Sequence, residues 1–186
     1  MVITQNIQVS KARVMDEVAK ATAYIGQKAV SQQDPDAYER IATTDANREE
    51  LDRYWMEACT AASLLLDHWL TDQTSQVLSH HPEIDTAHDY NVTLGMPTNW
   101  NFAYLPSVNE ALLSYLVNSI VTKWLLRTQK QDAAAYAALV EGAARQITQL
   151  MLIRKRPARR SSSSGSGDGG LWVGPNMWVG SIIWGS

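Results

Sequence analysis

Apolar side chains recur at three- and four-residue intervals along most of the first 155 positions, which is typical of amphipathic helices. The spacing predicts four principal helices, over about residues 10–30, 35–70, 107–127 and 132–155. The second has the clearest apolar stripe: Leu51, Trp55, Ala58, Ala62, Leu65 and Trp69. Thr43, Thr44 and Asp45 are expected to interrupt and recap it. The chain is therefore predicted to be all-α.

The hydrophobic period changes to two between residues 90 and 104. Apolar residues alternate with small or polar ones on both sides of a turn-forming stretch, Gly95 to Asn99: Tyr90, Val92, Leu94, Met96, then Trp100, Phe102, Tyr104. This pattern predicts a β-hairpin. The predicted architecture is a four-helix bundle-like domain with a small β-hairpin between helix pairs and an extended C-terminal arm.

Helix boundaries are predicted from capping residues. Ser10 and Asp132 are expected to be the N-caps of the first and last helices, and Ser107 with Glu110 forms a capping-box pattern. Pro157 is expected to stop the last helix. The short link between the last two helices predicts that they are antiparallel neighbours.

The composition changes after residue 160. The pattern predicts a helical domain over 1–160, a flexible Ser/Gly linker over 161–170 and a tryptophan-rich extended arm over 171–186. Trp172, Trp178 and Trp184 recur every six residues, so that an extended strand would carry all three rings on one side. Tryptophan is a preferred interface anchor, which favours an arm that binds a partner through these rings. A Ser/Gly-rich stretch is also typical of engineered expression tags.

Charge is distributed unevenly. Five cations occupy seven positions at the end of the predicted domain: Arg154, Lys155, Arg156, Arg159 and Arg160. Residues 1–153 carry 11 basic and 18 acidic side chains, a balance of −7. The basic segment is predicted to contact a polyanion or an acidic partner, although a helix end followed by solvated charges has the same composition.

Candidate chemistry is sparse. His80, His81 and His88 share a polar stretch with three carboxylates, but their spacing matches no helical His pair or zinc-finger pattern, so no metal site is predicted. Cys59 lies within a helical pattern, where burial would leave its thiol inert. The sequence has no Gly-x-Ser-x-Gly elbow, no Gly-rich phosphate loop after a strand and no membrane-spanning run. The first ten residues, mixed polar and β-branched, do not form a secretion signal. We expect no enzyme activity, cofactor, small-molecule substrate or membrane contact.

The order of elements, with a last helix that ends in Leu150 to Arg160, resembles the head–tail connector (adaptor or head-completion) proteins of tailed phages. The resemblance covers roughly residues 10–160 and depends on no diagnostic motif. It implies a homo-oligomeric ring, typically of twelve subunits, between portal and tail proteins. In that setting the protein, made in the host cytoplasm, would belong to the head–tail junction of the virion. Passing DNA would contact the ring only transiently, and the tryptophan arm departs from the family pattern.

Two other classes stay open. One is a different phage or injection-machine structural ring, or a capsid-associated protein. The other is a small helical nucleic-acid-binding protein that uses the Arg154–Arg160 segment.

Overall fold

The computed structural model describes residues 2–31, 35–71 and 89–155. The first of the two units into which the chain divides is Met1–Lys155. The predicted linker over 161–170 and arm over 171–186 lie outside the described residues, as do the three clustered histidines.

The described chain is mostly helical, as predicted. Its helices are α1 Lys11–Ser31, α2 Ala37–Ile41, α3 Arg48–Leu66, α4 Leu105–Thr128 and α5 Lys130–Leu152. Short 3-10 turns occupy Asp45–Asn47, Asp67–Trp69 and Phe102–Tyr104. Four of the five helices are long, which confirms the helical character of the domain.

The second predicted helix, over 35–70, is divided into α2 and α3. The interruption falls at residues 42–44, where Ala42 turns to extended backbone after α2. Thr44 then forms a capping box with Asn47, whose side-chain oxygen accepts from the Thr44 amide at 3.0 Å. The break and recap expected at Thr43, Thr44 and Asp45 are therefore confirmed.

The predicted β-hairpin over 90–104 is wrong. Its first half is a strand, β2 Tyr90–Pro97, but the partner is β1 Val2–Val9 at the start of the chain. The two strands are antiparallel and pair from Val2 with Pro97 to Val9 with Tyr90. The alternation near residue 90 does indicate a strand. Residues 2–9, whose alternation is weaker, form the strand that pairs with it.

The second half of the expected hairpin turns instead of extending. The Trp100 amide donates to the Pro97 carbonyl at 2.9 Å, and the Asn101 side chain accepts from the Ala103 amide at 3.3 Å. These local bonds favour a tight turn followed by a 3-10 turn. The aromatic residues at 100, 102 and 104 alternate in sequence without forming a strand.

Helix α4 lies at the centre of the core. It contacts α1, α2, α3, α5 and β1, and it has buried residues around its whole circumference. Leu112, Leu116 and Ile120 are fully buried, and each contributes roughly 1.5–3 kcal/mol by leaving water. Only Gln129 separates α4 from α5, and these two helices make the most extensive contact between described elements.

Three predicted helix boundaries are wrong. Helix α4 begins at Leu105, ahead of Ser107, because Pro106 fits its first turn. Asp132 lies inside the first turn of α5, where it accepts from the Gln129 side chain at 2.9 Å. Helix α5 ends at Leu152, before Pro157 is reached, because the next residues pair with residues 99–101.

Candidate interaction surface

The end of α5 is fixed to the turn that follows β2. The indole Nε1 of Trp100 donates to the Leu150 carbonyl at 3.0 Å, and the Trp100 ring is 1% exposed. The Asn101 amide donates to the Ile153 carbonyl at 3.3 Å, and the Lys155 amide donates to the Asn99 carbonyl at 2.7 Å. Residues 153–155, which we call the exit point, are therefore held at a defined place on the described body.

Two of the five cations predicted to contact a polyanion or acidic partner lie at the exit point. Arg154 is exposed, and its Nη1 donates to the Met151 carbonyl at 3.0 Å. This bond satisfies a carbonyl at the α5 C-terminus. Lys155 is also exposed, and its Nζ lies 5.0 Å from the centre of the Phe102 ring. Both cations have structural contacts and stay accessible to solvent. Arg156, Arg159 and Arg160 lie outside the described residues.

Other described cations form ion pairs between helices, which sequence patterns did not reveal. Lys11 of α1 pairs with Asp52 of α3 at 2.8 Å. Arg13 of α1 makes two bonds of 3.1 Å to Glu110 of α4. These pairs connect elements far apart in sequence, so no spacing along the chain could have identified them.

A cluster of charges connects α3 with α4. Lys123 Nζ lies 2.5 Å from Glu57 Oε2, and Arg127 pairs with Glu50. The hydrogen bond from Lys123 holds the pKa of the Glu57 carboxyl below its ordinary value. Arg53 lies within ion-pair distance of both glutamates, at 3.7 and 3.9 Å. Glu50 and Glu57 of α3 thus form part of the contact between α3 and α4.

The two-stranded sheet has one face on the core and one face outward. Ile7, Val9 and the alternate residues of β2 are buried, whereas the even-numbered residues of β1 are exposed and Ile3 and Gln5 are half-buried. The outer side of β2 is partly occupied, because the Thr71 amide donates to the Thr93 carbonyl at 3.2 Å and Leu70 bridges Leu94. The outer side of β1, which we call the β1 edge (residues 2–9), carries no backbone hydrogen bond from any described residue.

An open groove of about 740 Å³ lies between α1 and the start of α3. Its lining combines apolar side chains such as Met15 and Leu51 with the Lys11–Asp52 pair. Asp89 also lines it and accepts from the Lys11 amide at 2.9 Å, at the N-terminus of α1. Lys11 thus binds both acids and joins α1 to α3 and to the residue before β2.

The surroundings of Cys59 do not favour a nucleophilic thiolate. The thiol is 4% exposed, and burial raises its pKa to about 12. The neutral thiol is therefore the form present at ordinary pH. Within the described ranges, no group of three or more His, Cys, Asp or Glu side chains is placed to hold a metal ion.

The remaining predicted site residues, Trp172, Trp178 and Trp184, lie beyond the described part of the chain. None of the helices in the described ranges is long and apolar enough to cross a membrane. Comparisons of the chain with protein-family models, with curated proteins and with solved structures give no match.

Proposed function

We propose that this protein is a non-enzymatic virion structural subunit of a tailed phage, which forms a ring at the head–tail junction. In this proposal the long helices form the bundle-like body of each subunit, and the ring joins the portal to the tail. The observation that carries the proposal is the exit point. Residues 153–155 are fixed to the Asn99–Asn101 turn, so a basic segment and a tryptophan-rich tail leave a folded helical body from one defined place.

A fixed exit point suits an assembly protein because it sets where a partner is met. Arg154 and Lys155 are exposed there and begin the run of five cations. Cations that follow an acidic body of residues 1–153 can bind the acidic surface of a neighbouring copy or of a portal. Trp172, Trp178 and Trp184 would add apolar anchors further along the same segment.

The charge balance also suits a DNA conduit. Residues 1–153 carry a net charge of −7. A predominantly acidic channel wall would repel phosphates, so that DNA could slide through without binding tightly. The resemblance to phage connectors implies a ring of twelve subunits, which is the number we propose.

One observation favours a second candidate, a small helical nucleic-acid-binding protein. Both described cations of the basic segment are exposed, and neither forms an ion pair with a described acid. Phosphate binding by these cations would weaken steeply with salt. Another phage structural ring or a capsid-associated protein would share the assembly behaviour of the first candidate.

Negative-stain imaging of the purified full chain tests the proposal. Discrete rings of uniform diameter, which bind a portal ring when the two are mixed, are the expected result. A monomer at all concentrations, with DNA affinity that falls strongly between about 50 and 200 mM salt, would instead identify the nucleic-acid-binding protein. Rings that bind capsid or tail proteins but no portal would assign the chain to another structural ring.

A further inference from the structure

The β1 edge is an eight-residue strand with one side unpaired among the described residues. In an antiparallel sheet, alternate residues of an edge strand point their N–H and C=O groups away from the partner. About half of the peptide groups of β1 therefore face outward, over a length of roughly 26 Å. These groups can form main-chain hydrogen bonds with a further strand.

β1 itself lacks the features that commonly block such pairing within an edge strand. Natural edge strands are commonly blocked by lysine, proline, a bulge or very short length. The sequence of β1, Val-Ile-Thr-Gln-Asn-Ile-Gln-Val, contains no charged residue and no proline. Its register with β2 is continuous from Val2 to Val9, without a bulge. An unprotected edge of this length favours strand addition.

Burial along β1 shows where a further strand would gain most. Ile7 and Val9, at the α1 end of the strand, are 1% and 5% exposed. At the opposite end Ile3 is only half-buried, and Val2 is 66% exposed. A strand placed beside Val2 and Ile3 would cover apolar surface that the described chain leaves in water.

The exit point lies at that same end of the sheet. Val2 pairs with Pro97, and Asn99 follows two residues later and binds the Lys155 amide. The backbone therefore leaves the described body close to the less covered end of β1. The 31 residues that follow Lys155 are therefore attached to the described body near the Val2 end of β1.

We propose that the β1 edge of one copy receives residues 177–184 of a second copy as a third strand. This segment, Met-Trp-Val-Gly-Ser-Ile-Ile-Trp, has the same length as β1 and contains neither charge nor proline. Pro175, which cannot donate to a ladder, precedes it. In an extended strand Trp178 and Trp184 share one side, so that one ring can cover Ile3 while the main chain pairs with β1.

The inference rests on the proposed ring, because it requires neighbouring copies. Residues 156–176 form the connection and, as a flexible chain, would span about 25 Å on average. Each copy would then give a strand to the next and receive one from the previous copy. Such head-to-tail exchange closes into a ring when the rotation between copies allows it.

Cross-linking between full-length copies tests the donor and the acceptor. One protein carries Thr4→Cys on the exposed side of β1, and a second carries Ser181→Cys in the donated segment. After mixing and treatment with a short bis-maleimide, we expect a heterodimer that contains one of each. Buried Cys59 stays out of reach of the reagent. A matched pair, Gln149→Cys on exposed α5 with Ser181→Cys, is expected to give at most one-tenth of that yield.

Substitutions that block the edge supply the second measurement. Thr4→Lys with Asn6→Lys places charge on two exposed β1 positions and is expected to reduce ring formation at least tenfold. Gln146→Lys with Gln149→Lys on α5, also exposed, adds the same charge and is expected to leave rings intact. Two results together would overturn the inference while leaving the ring function standing: the edge variant still forms rings, and the Thr4→Cys and Ser181→Cys proteins give no cross-link.

Two further outcomes separate the alternatives. A Thr4–Ser181 link that forms only when both cysteines are in one chain would overturn exchange between copies. A wild-type protein that stays monomeric, with no intermolecular link, would overturn both the exchange and the proposed ring.

Discussion

The indole Nε1 of Trp124 donates a hydrogen bond of 2.6 Å to the backbone carbonyl of Ile41, a residue 83 positions earlier in the chain. Both residues are buried, at 5% and 0% exposure. The bond joins the central helix α4 to the last residue of α2. It satisfies a carbonyl at a helix end where no further turn follows.

Trp124→Phe is expected to destabilise the protein by about 1–3 kcal/mol, because the Ile41 carbonyl would stay buried without its donor. Urea unfolding followed by circular dichroism measures this change. Trp69→Phe is the matched control, since Trp69 is only partly buried and its indole makes no hydrogen bond to a described residue. Equal effects of the two substitutions would show that the Trp124 hydrogen bond contributes nothing specific.

Two glycines within helices should respond differently to alanine. Gly142 is exposed, and a Cβ there would meet nothing within 4 Å, so Gly142→Ala is expected to stabilise by about 0.5–1 kcal/mol. At Gly26 a Cβ would lie 3.1 Å from the Tyr38 backbone, where α1 and α2 approach closely. Gly26→Ala is therefore expected to bring no gain. Thermal unfolding of both variants checks this, and equal stabilisation would contradict the close approach.

Stability is expected to fall as the pH rises above about 9. Burial raises the pKa of the Cys59 thiol from 9.0 to about 12, and burial likewise raises the pKa of the Tyr90 phenol. Between the unfolded and folded pKa values, the folded chain keeps a proton that the unfolded chain has lost. Each such group therefore lowers the free energy of unfolding by up to about 1.4 kcal/mol per pH unit.

Cys59→Ala should remove one of these contributions. Urea unfolding between about pH 8 and 10.5 is expected to show a shallower decline for this variant than for the wild type. Val18→Ala, at a buried position without a titratable group, should lower stability without changing the slope. An unchanged slope in Cys59→Ala would show that the thiol is not desolvated as described.

Replacement of Arg154, Lys155, Arg156, Arg159 and Arg160 by serine is expected to weaken assembly more at low salt than at high salt, because salt screens the attraction in both proteins. Sedimentation at several salt concentrations measures this difference. The control replaces Lys20 and Arg145, whose ion pairs lie within single helices, and should leave assembly unchanged. If neither salt nor the serine substitutions change assembly, the Arg154–Arg160 segment is only the end of a helix and binds no partner.

Deletion of residues 165–186 is expected to leave the thermal unfolding temperature unchanged while impairing assembly. A longer deletion, from residue 150 onward, removes the carbonyl that Trp100 binds and should destabilise strongly. Unfolding after the shorter deletion would mean that the tail contributes to the core of its own chain.

The helices could be predicted from sequence because their signals are local. Leu51, Trp55 and Ala58 share a face by spacing alone, and Thr44 marks a helix start by its chemistry. The pairing of Val9 with Tyr90 depends on contacts between distant segments, so no local pattern distinguishes it from a hairpin. Alternation on both sides of a turn predicts a hairpin, because the nearest segment is the simplest partner. A partner strand 81 positions away cannot be identified from the local sequence.

The position of the exit point could not be predicted from the sequence either. A basic run and Pro157 predicted where α5 would stop. The end is set instead by the Trp100 indole, which binds the Leu150 carbonyl, and by the backbone on either side of it, which binds residues 153 and 155. Such contacts appear only once the chain is folded. The ion pairs between helices could not be predicted for the same reason, since Lys123 and Glu57 are 66 residues apart.

Pairing between the start of the chain and residues 90–97 also affects synthesis. The ribosome makes β1 first, and β2 follows after about 80 further residues, which takes roughly 4–16 s at ordinary elongation rates. During that interval helices α1 to α3 can form, whereas β1 has no partner in its own chain. The nascent protein therefore exposes an uncharged strand before its core can close, and a chaperone that holds this strand would raise the yield of folded protein.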